Sequence, residues 1–319
     1  MIYLGEQDTR QILDLDRVLD IIEQVARATP SGGVKFSEPG TSVLMLDDPK
    51  CRYRIKACAL LDLPVVGIRI IGYPTAGGDG TSSTRFVMLS DPATGEPLAL
   101  IDDHWNYTLR TAASAVVGLG HLVADGTLTL ASVGAGNLAR AMVMLLAHGG
   151  RLARVQVSSR RAESREAFAA WVRDEYGIAA EACGDVESAL AGADLVVTST
   201  NANRRLVEPQ WVVPGTTLCT LGRFELAPEI YAAADKLVVD SWQIAKSVPD
   251  VKEMVAAGVV SEAGVHAELH DLVLGRKPGR ESREETIVFR TDGLVSQDVA
   301  IAWVVYQAAL ERGLGTPLP

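Results

Sequence analysis

Three arginines stand where the chain has little reason to place a charge. Arg69 interrupts the apolar run Val65-Val66-Gly67-Ile68-Arg69-Ile70-Ile71. Arg54 lies in the alternating segment Arg52 to Lys56, and Arg110 opens Arg110-Thr111-Ala112-Ala113-Ser114 within a helical pattern. A guanidinium buried without a partner is expensive, so each needs an anion. Two kinds of partner remain open. One is a structural carboxylate from Asp79, Asp102 or Asp103. The other is a ligand carboxylate, whose two oxygens match the planar fork of the guanidinium.

A second chemistry is written in Thr127 to His148, TLTLASVGAGNLARAMVMLLAH. A β-prone run (Leu128, Leu130, Val133) meets Gly134-Ala135-Gly136, and an apolar helical pattern follows. Strand, glycine turn and helix open a dinucleotide-binding unit. Gly134 makes the tight turn, and Gly136 lets the backbone approach a pyrophosphate. The helix start then offers free N–H groups and a positive dipole end. Ala139 replaces the third glycine and is small enough for close helix–strand packing. Taken alone the pattern also fits a purely structural turn.

The end of the following strand, Arg154-Val155-Gln156-Val157-Ser158-Ser159-Arg160-Arg161, is where such units meet the adenosine ribose. An acidic residue there favours free ribose hydroxyls. Here the position is Ser159, followed by two arginines that can hold a phosphate by charge-assisted bonds. The expectation is NADP(H) in preference to NAD(H), set against a plain solvated basic helix start. A cationic cluster facing a nicotinamide selects an amino or imino acid.

These side chains need a frame. Asp14 to Ala28 has helical spacing, with Asp14 or Asp16 as cap. Val34 to Leu100 reads as short strands and turns, with a polar loop over Ala76 to Thr84 and a hairpin-like turn at Asp91-Pro92-Ala93-Thr94-Gly95. Tyr107 to Ala124 reads as a helix. Then strands (Val155–Ser158, Ile178–Ala182, Leu195–Thr198, Thr217–Leu221, Lys236–Val239) alternate with helices (Ala162–Tyr176, Val186–Ala191, Val248–Ala257). That alternation predicts an α/β, doubly wound parallel sheet of Rossmann type. Asp298 to Arg312 is a last helix closed by Gly313. The β-rich part thus precedes the nucleotide unit and is completed after it: residues 1–112 with 292–319 form one domain, residues 113–291 the other.

The net charge of −10 over 319 residues argues against nucleic acid as a partner. No apolar run reaches membrane-spanning length, and the start MIYLGEQDTR lacks the pattern of a signal peptide. Cys51, Cys58, Cys183 and Cys219 have no metal-site spacing. They read as free thiols of a cytoplasmic protein, and no metal is expected.

Taken together, the sequence resembles the ornithine cyclodeaminase/mu-crystallin family over nearly its whole length. The matching stretches are the Arg110-Thr111-Ala112-Ala113-Ser114 helix, the glycine turn, Asp91 to Gly95, Val238-Val239-Asp240, His266-Ala267-Glu268-Leu269, Gly275 to Arg280, and Gly293 with Asp298. The resemblance implies a homodimer built by a discontinuous β-rich substrate-binding and dimerisation domain, beside a Rossmann domain holding NAD(P). It implies that Arg54 and Arg110, with Arg69, hold a substrate carboxylate. Arg69 stands where most members carry a lysine, and it is the candidate catalytic residue, although an arginine is a poor general acid. The expected cofactor contacts are Thr84, Gly134, Gly136, Asn137, Leu138, Ser159, Arg160, Thr200 and Asp298. Asp298 faces the nicotinamide or caps its helix, with capping favoured.

Cyclodeaminases carry an aspartate in a glycine-rich segment that is shortened here to Leu221-Gly222-Arg223-Phe224-Glu225-Leu226. Glu225 is the nearest carboxylate and reads as structural. The shortening, with Val239-Asp240-Ser241-Trp242-Gln243, resembles the branch that forms 2,3-diaminopropionate. The expected activity is NAD(P)-dependent oxidoreduction at the C–N bond of an amino or imino acid. The alternatives are an ornithine cyclodeaminase and a non-catalytic NADP(H)-binding protein. His104, Trp105, Trp303 and His266 read as structural.

Overall fold

The computed structural model describes residues 1–12, 14–48, 50–74 and 84–319. The chain forms two compact units, one of residues Met1–Arg110 with Leu294–Pro319 and one of Thr111–Gly293.

The first unit opens with β1 (Ile2–Leu4), α1 (Glu6–Ile12) and α2 (Leu15–Ala28). Asp14 caps α2, its carboxylate accepting from the Asp16 and Arg17 N–H groups, as the sequence led us to expect. Strands β2 (Val34–Phe36), β3 (Ser42–Asp47), β4 (Lys50–Leu60), β5 (Val65–Pro74), β6 (Thr84–Ser90) and β7 (Pro97–Asp102) follow. The long helix α3 (His104–Leu122) leads out of this unit. The loop expected over Ala76 to Thr84 lies outside the described residues, apart from Thr84, and so does Asp79.

The second unit is a parallel sheet. Its elements are β8 (Leu128–Val133), α4 (Asn137–His148), β9 (Leu152–Ser158), α5 (Ala162–Tyr176), β10 (Ala179–Cys183), α6 (Val186–Leu190), β11 (Leu195–Thr198) and β12 (Thr217–Thr220). Then come α7 (Pro228–Ala233), β13 (Lys236–Val239), α8 (Trp242–Ala245), α9 (Pro249–Ala256), β14 (Val265–Glu268), α10 (Leu269–Val273) and β15 (Ile287–Arg290). The strand order is β10-β9-β8-β11-β12-β15-β13-β14, with every pairing parallel. This is the doubly wound Rossmann-type sheet expected from the alternation. The order reverses between β8 and β11, and the crevice at that switch point is where such sheets take ligands. β11, β12, β13 and β15 are buried along their whole length, as strands covered on both faces must be.

Two strands of the second unit were not read from the sequence, β14 and the central β15. Gly118 of α3 packs against β15 so closely that a Cβ there would lie 2.4 Å from the Phe289 ring. The chain then returns to the first unit as α11 (Val295–Arg312) and β16 (Thr316–Pro317).

In the first unit the sheet runs β16-β1-β7-β6-β5-β4-β2, with β3 also on β4. Side chains alternate across a strand, so register decides which face each one joins. Lys56 pairs with Arg69, Cys58 with Gly67, and Arg69 with Val87. Arg54, Lys56, Cys58, Gly67, Arg69, Val87 and Leu89 therefore share one face. Helix α11 packs on that face over β4, β5 and β6. Gly67 permits the approach, because a Cβ there would lie 2.3 Å from a Val299 methyl.

Candidate active site

The arginine face of the first unit carries a dense charge cluster. Arg69 and Arg110 are each 2% exposed, Asp103 and Asp298 at most 1%. β5 supplies Arg69, the start of α3 supplies Arg110, and the first turns of α11 supply Asp298. Asp103 follows β7 directly. Arg69 Nε donates to Asp103 Oδ2 at 2.6 Å, and its Nη1 lies 3.4 Å from Asp298 Oδ2. Arg110 Nε donates to Asp298 Oδ1 at 2.5 Å.

Of the partners weighed for Arg69, the structure selects Asp103 and adds Asp298. Asp298 is not a helix cap: Gln297 fills that role, its Oε1 accepting from the Leu294 N–H at 3.4 Å. Both oxygens of Asp298 meet guanidinium groups, so the residue sits in the cluster as a shared counter-ion.

The pairing is incomplete. Arg69 Nη2, Arg110 Nη1 and Asp103 Oδ1 are buried without a hydrogen-bond partner among the described residues. Such orphans are rare in native proteins and call for an explanation. Tyr107, one turn before Arg110 on α3, presents its ring to three guanidinium groups: Arg85 at 4.2 Å, Arg110 at 4.9 Å and Arg69 at 5.0 Å. The sequence reading missed Tyr107; its i, i+3 spacing from Arg110 was the available signal. Lys56 was missed too. Arg54, Arg69, Arg110 and Asp298 all act on it electrostatically, so it belongs to the same charge cluster.

Burial acts on the titrating members. It pushes Asp103 up to about 6, against the pull of Arg69. It lowers Lys56 to about 8, helped by Arg54 and opposed by Asp298. Burial disfavours the charged form of Arg69, but Asp298 and Asp103 outweigh it and hold the guanidinium charged. Arg69 therefore has no proton to exchange near neutral pH, which removes proton transfer from its candidate catalytic role.

In the second unit the glycine turn has the expected form. Gly134 has φ +126°, and a Cβ there would lie 2.8 Å from the Ser199 carbonyl oxygen, so only glycine fits. A Cβ on Gly136 would meet nothing within 4 Å. The backbone at Gly136 is thus open to a ligand at the N-terminus of α4, where Asn137 is exposed and Leu138 half-buried. The first N–H groups of a helix have no partner within it and are ready to bind phosphate. Ala139 is 1% exposed, packed as the small third position requires.

Ser159 and Arg160 follow β9 directly. The Gly134 N–H donates to the Ser158 carbonyl at 2.9 Å, which ties the turn to the end of β9. The Ser159 hydroxyl donates to the Arg161 carbonyl at 3.1 Å, and Arg161 Nε donates to Ser164 Oγ at 3.1 Å. Arg160 is exposed and makes no ion pair among the described residues. Thr200 lies two residues beyond β11; its N–H donates to Glu225 Oε1 at 2.6 Å and its hydroxyl accepts from the Ala202 N–H at 3.2 Å. Beside the turn, the buried Ser199 Oγ has no partner among the described residues, another group the sequence reading missed.

Glu225 is 1% exposed and accepts from the Thr200 N–H, the Gly222 N–H and the Thr220 hydroxyl. It is a structural carboxylate. Thr84 is exposed at the start of β6, and Arg54 is half-buried on β4. His104 Nδ1 is 3.1 Å from the Asp102 carboxylate at the start of α3, and His266 Nε2 donates to the Pro278 carbonyl at 2.9 Å. Trp105 is half-buried beneath Arg10, 4.1 Å from the ring centre. Among the described residues no group of three or more His, Cys, Asp and Glu is placed to hold a metal ion.

The chain thus carries a Rossmann-type sheet with an open glycine turn and a β-rich unit with a buried cluster of arginines and carboxylates. The chain belongs to the ornithine cyclodeaminase/mu-crystallin family, whose model matches residues 4–313. It is 33% identical over 235 residues to a Delta(1)-pyrroline-2-carboxylate reductase of Bacillus cereus, covering 72% of each chain. It is 28% identical over 235 residues to the N-((2S)-2-amino-2-carboxyethyl)-L-glutamate dehydrogenase of Staphylococcus aureus, covering 73% of this chain and 70% of that one. An archaeal alanine dehydrogenase dimer with bound NAD superposes with a TM-score of 0.91 at 26% identity, over 100% of this chain and 99% of the other.

Proposed function

We propose that the protein is an NAD(P)-dependent oxidoreductase acting on the C–N bond of an amino or imino acid. The observation that carries this reading is the unclosed pairing of the arginine face, where buried donors on Arg69 and Arg110 lack an acceptor among the described residues although both guanidinium groups already meet carboxylates. Those donors fit the carboxylate of an α-imino or α-amino acid, and Arg54 adds charge to the same face. The family relatives support the reaction class, since the curated ones described above are a reductase of a cyclic imino acid and a dehydrogenase of an N-substituted amino acid.

The nicotinamide cofactor supplies or accepts the hydride when bound. The residues proposed to hold it are Gly134, Gly136, Asn137 and Leu138 at the turn, Ser159 and Arg160 at the end of β9, and Ser199 and Thr200 beyond β11. The arginines fix the substrate's carboxylate and so its α-carbon, and positioning of this kind supplies much of the rate. Tyr107 holds three guanidinium groups in place, and Asp103 and Asp298 orient Arg69 and Arg110.

NADP(H) is the proposed cofactor in preference to NAD(H). No acidic side chain stands at position 159, and the exposed, unpaired Arg160 is available to a 2′-phosphate. With NADPH, imine reduction is the proposed physiological direction. A homodimer through the β-rich unit fits the apolar surface there: Leu44, Met45, Ile55 and Ile70 are all exposed.

The test is an assay of NADPH and NADH oxidation with Δ1-pyrroline-2-carboxylate and with linear imines of α-keto acids. Steady consumption, faster with NADPH, is expected. Ammonia and proline released from ornithine without added acceptor would instead establish a cyclodeaminase, a reading that the full use of Glu225 within the fold does not favour.

A further inference from the structure

Reduction of an imine, or its reverse, needs a proton at nitrogen as well as a hydride at carbon. The groups of the arginine face divide sharply in their ability to supply one. Arg69 is held charged by Asp298 and Asp103, and a guanidinium such as those of Arg54 and Arg110 is an anchor and not a proton donor. Asp298 is held between Arg69 and Arg110, and Asp103 is held by Arg69. Cys58, beside Lys56 on the same strand face, is pushed up to about 12 by burial and stays a neutral thiol. Tyr107 is covered by three guanidinium groups.

Lys56 differs from all of these. The β4–β5 register sets it directly opposite Arg69, on the face covered by α11. Its amine makes no hydrogen bond or ion pair among the described residues, although Arg54, Arg69, Arg110 and Asp298 all act on it electrostatically. A long flexible amine with three donor positions and no partner is free to turn towards a ligand.

We propose that Lys56 is the proton-transfer group of this site, exchanging a proton with the nitrogen of the imino or amino acid. The inference rests on the reading of the protein as a C–N oxidoreductase. In the reductive direction the imine carbon gains a hydride from the reduced nicotinamide. The C=N π pair goes to nitrogen, where it forms a new N–H bond with a proton from the Lys56 ammonium, and the neutral lysine regains a proton from water. In the oxidative direction the neutral Lys56 amine takes a proton from the substrate ammonium, freeing the nitrogen lone pair to form the C=N bond as hydride leaves. Burial among cations brings the Lys56 ammonium to about 8, so both forms are populated near neutral pH.

Two measurements test this. The first needs no turnover: Lys56 is followed by NMR after 13C-methylation of the lysines, with Lys56→Arg used to assign its signal. A midpoint near 8 is expected. A midpoint above 10 would overturn the proposal.

The second is a pH profile of kcat and KM in both directions. The reductive rate should fall above pH 8 and the oxidative rate below it. Lys56→Met should lower kcat about 100-fold or more with KM changed less than threefold, and should abolish both limbs. Lys56→Arg should not rescue, whereas added ethylamine should partly restore Lys56→Ala. Retention of kcat and of both limbs in folded Lys56→Met would overturn the proposal while leaving the enzyme reading intact. Absence of turnover by the wild type with every imino acid would instead remove the enzyme reading, and this proposal with it.

Discussion

Two buried arginine clusters in this chain look alike and behave as opposites. In the second unit Arg290, at the end of β15, is 1% exposed between Asp250 and Asp292. Nε donates to Asp292 at 3.1 Å, Nη1 to Asp250 at 2.7 Å, and Nη2 to both. Every nitrogen of this guanidinium has an acceptor, and two carboxylates outnumber one cation. Nearby, Asp240 accepts from the Thr291 hydroxyl and from the Asp292 and Gly293 N–H groups, which fixes the turn after β15. In the first unit Arg69 and Arg110 also meet two carboxylates, but a donor on each arginine and one Asp103 oxygen lack a partner among the described residues. The closed cluster has the make-up of a strut, and the open one is the proposed receptor for the substrate's carboxylate. What separates them is whether the hydrogen-bonding inventory closes; burial and ion pairing are common to both.

The contrast can be broken or sharpened by substitution. The largest effect belongs to the strut. Arg290→Met leaves the buried Asp250 and the half-buried Asp292 without their cation and is expected to lower unfolding stability by about 3–5 kcal/mol, read by denaturant unfolding. If the loss is below about 1 kcal/mol, the closed cluster is not structural. Arg110→Met should act on function instead. It is expected to lower kcat/KM for an imino acid at least 100-fold, about 3 kcal/mol, with a smaller fall in stability than Arg290→Met. Equal loss of stability in the two variants would erase the distinction.

Gly134→Ala forces a side chain into a left-handed backbone and against the Ser199 carbonyl. A cost of about 1–3 kcal/mol is expected, with loss of cofactor binding by fluorescence titration. Arg160→Ala should weaken NADPH binding about tenfold, roughly 1.4 kcal/mol, and leave NADH unchanged. An equal effect on both cofactors would argue against a 2′-phosphate contact.

The last effect is a pH dependence. Asp103 is raised in the fold to about 6, above its ordinary value of 3.8. The folded state therefore holds this proton more tightly than the unfolded chain, and the fold loses stability as pH rises from about 4 to 6. The stability of the wild type relative to Asp103→Asn should decline across that window. A flat difference would mean that Asp103 titrates as an ordinary carboxylate.

Much of this was legible in the sequence. The periodic segments around α2, α5, β11 and β13 carry their own signals, and the glycine turn announced both its strand and its helix. The demand of Arg69 for a partner was legible too, because a charge inside an apolar strand cannot be left alone. The identity of that partner was not, since Asp298 lies 229 positions further on (298 − 69) and reaches Arg69 only because α11 returns onto the sheet. β15 escaped notice because Ile287-Val288-Phe289-Arg290 is a four-residue run after a polar loop, and its central place is set by pairing with β12 and β13. Lys56 looked like an ordinary polar position of an alternating strand. Its burial follows from tertiary packing alone.

The most direct test of the central claim compares Δ1-pyrroline-2-carboxylate with 1-pyrroline, the same ring lacking the carboxylate, as substrates with NADPH. If the open arginine cluster holds the substrate's carboxylate, the wild type should favour the acid by at least 100-fold in kcat/KM, and Arg110→Met should lose most of that preference. Equal turnover of the two rings by the wild type, or an undiminished preference in Arg110→Met, would contradict the account.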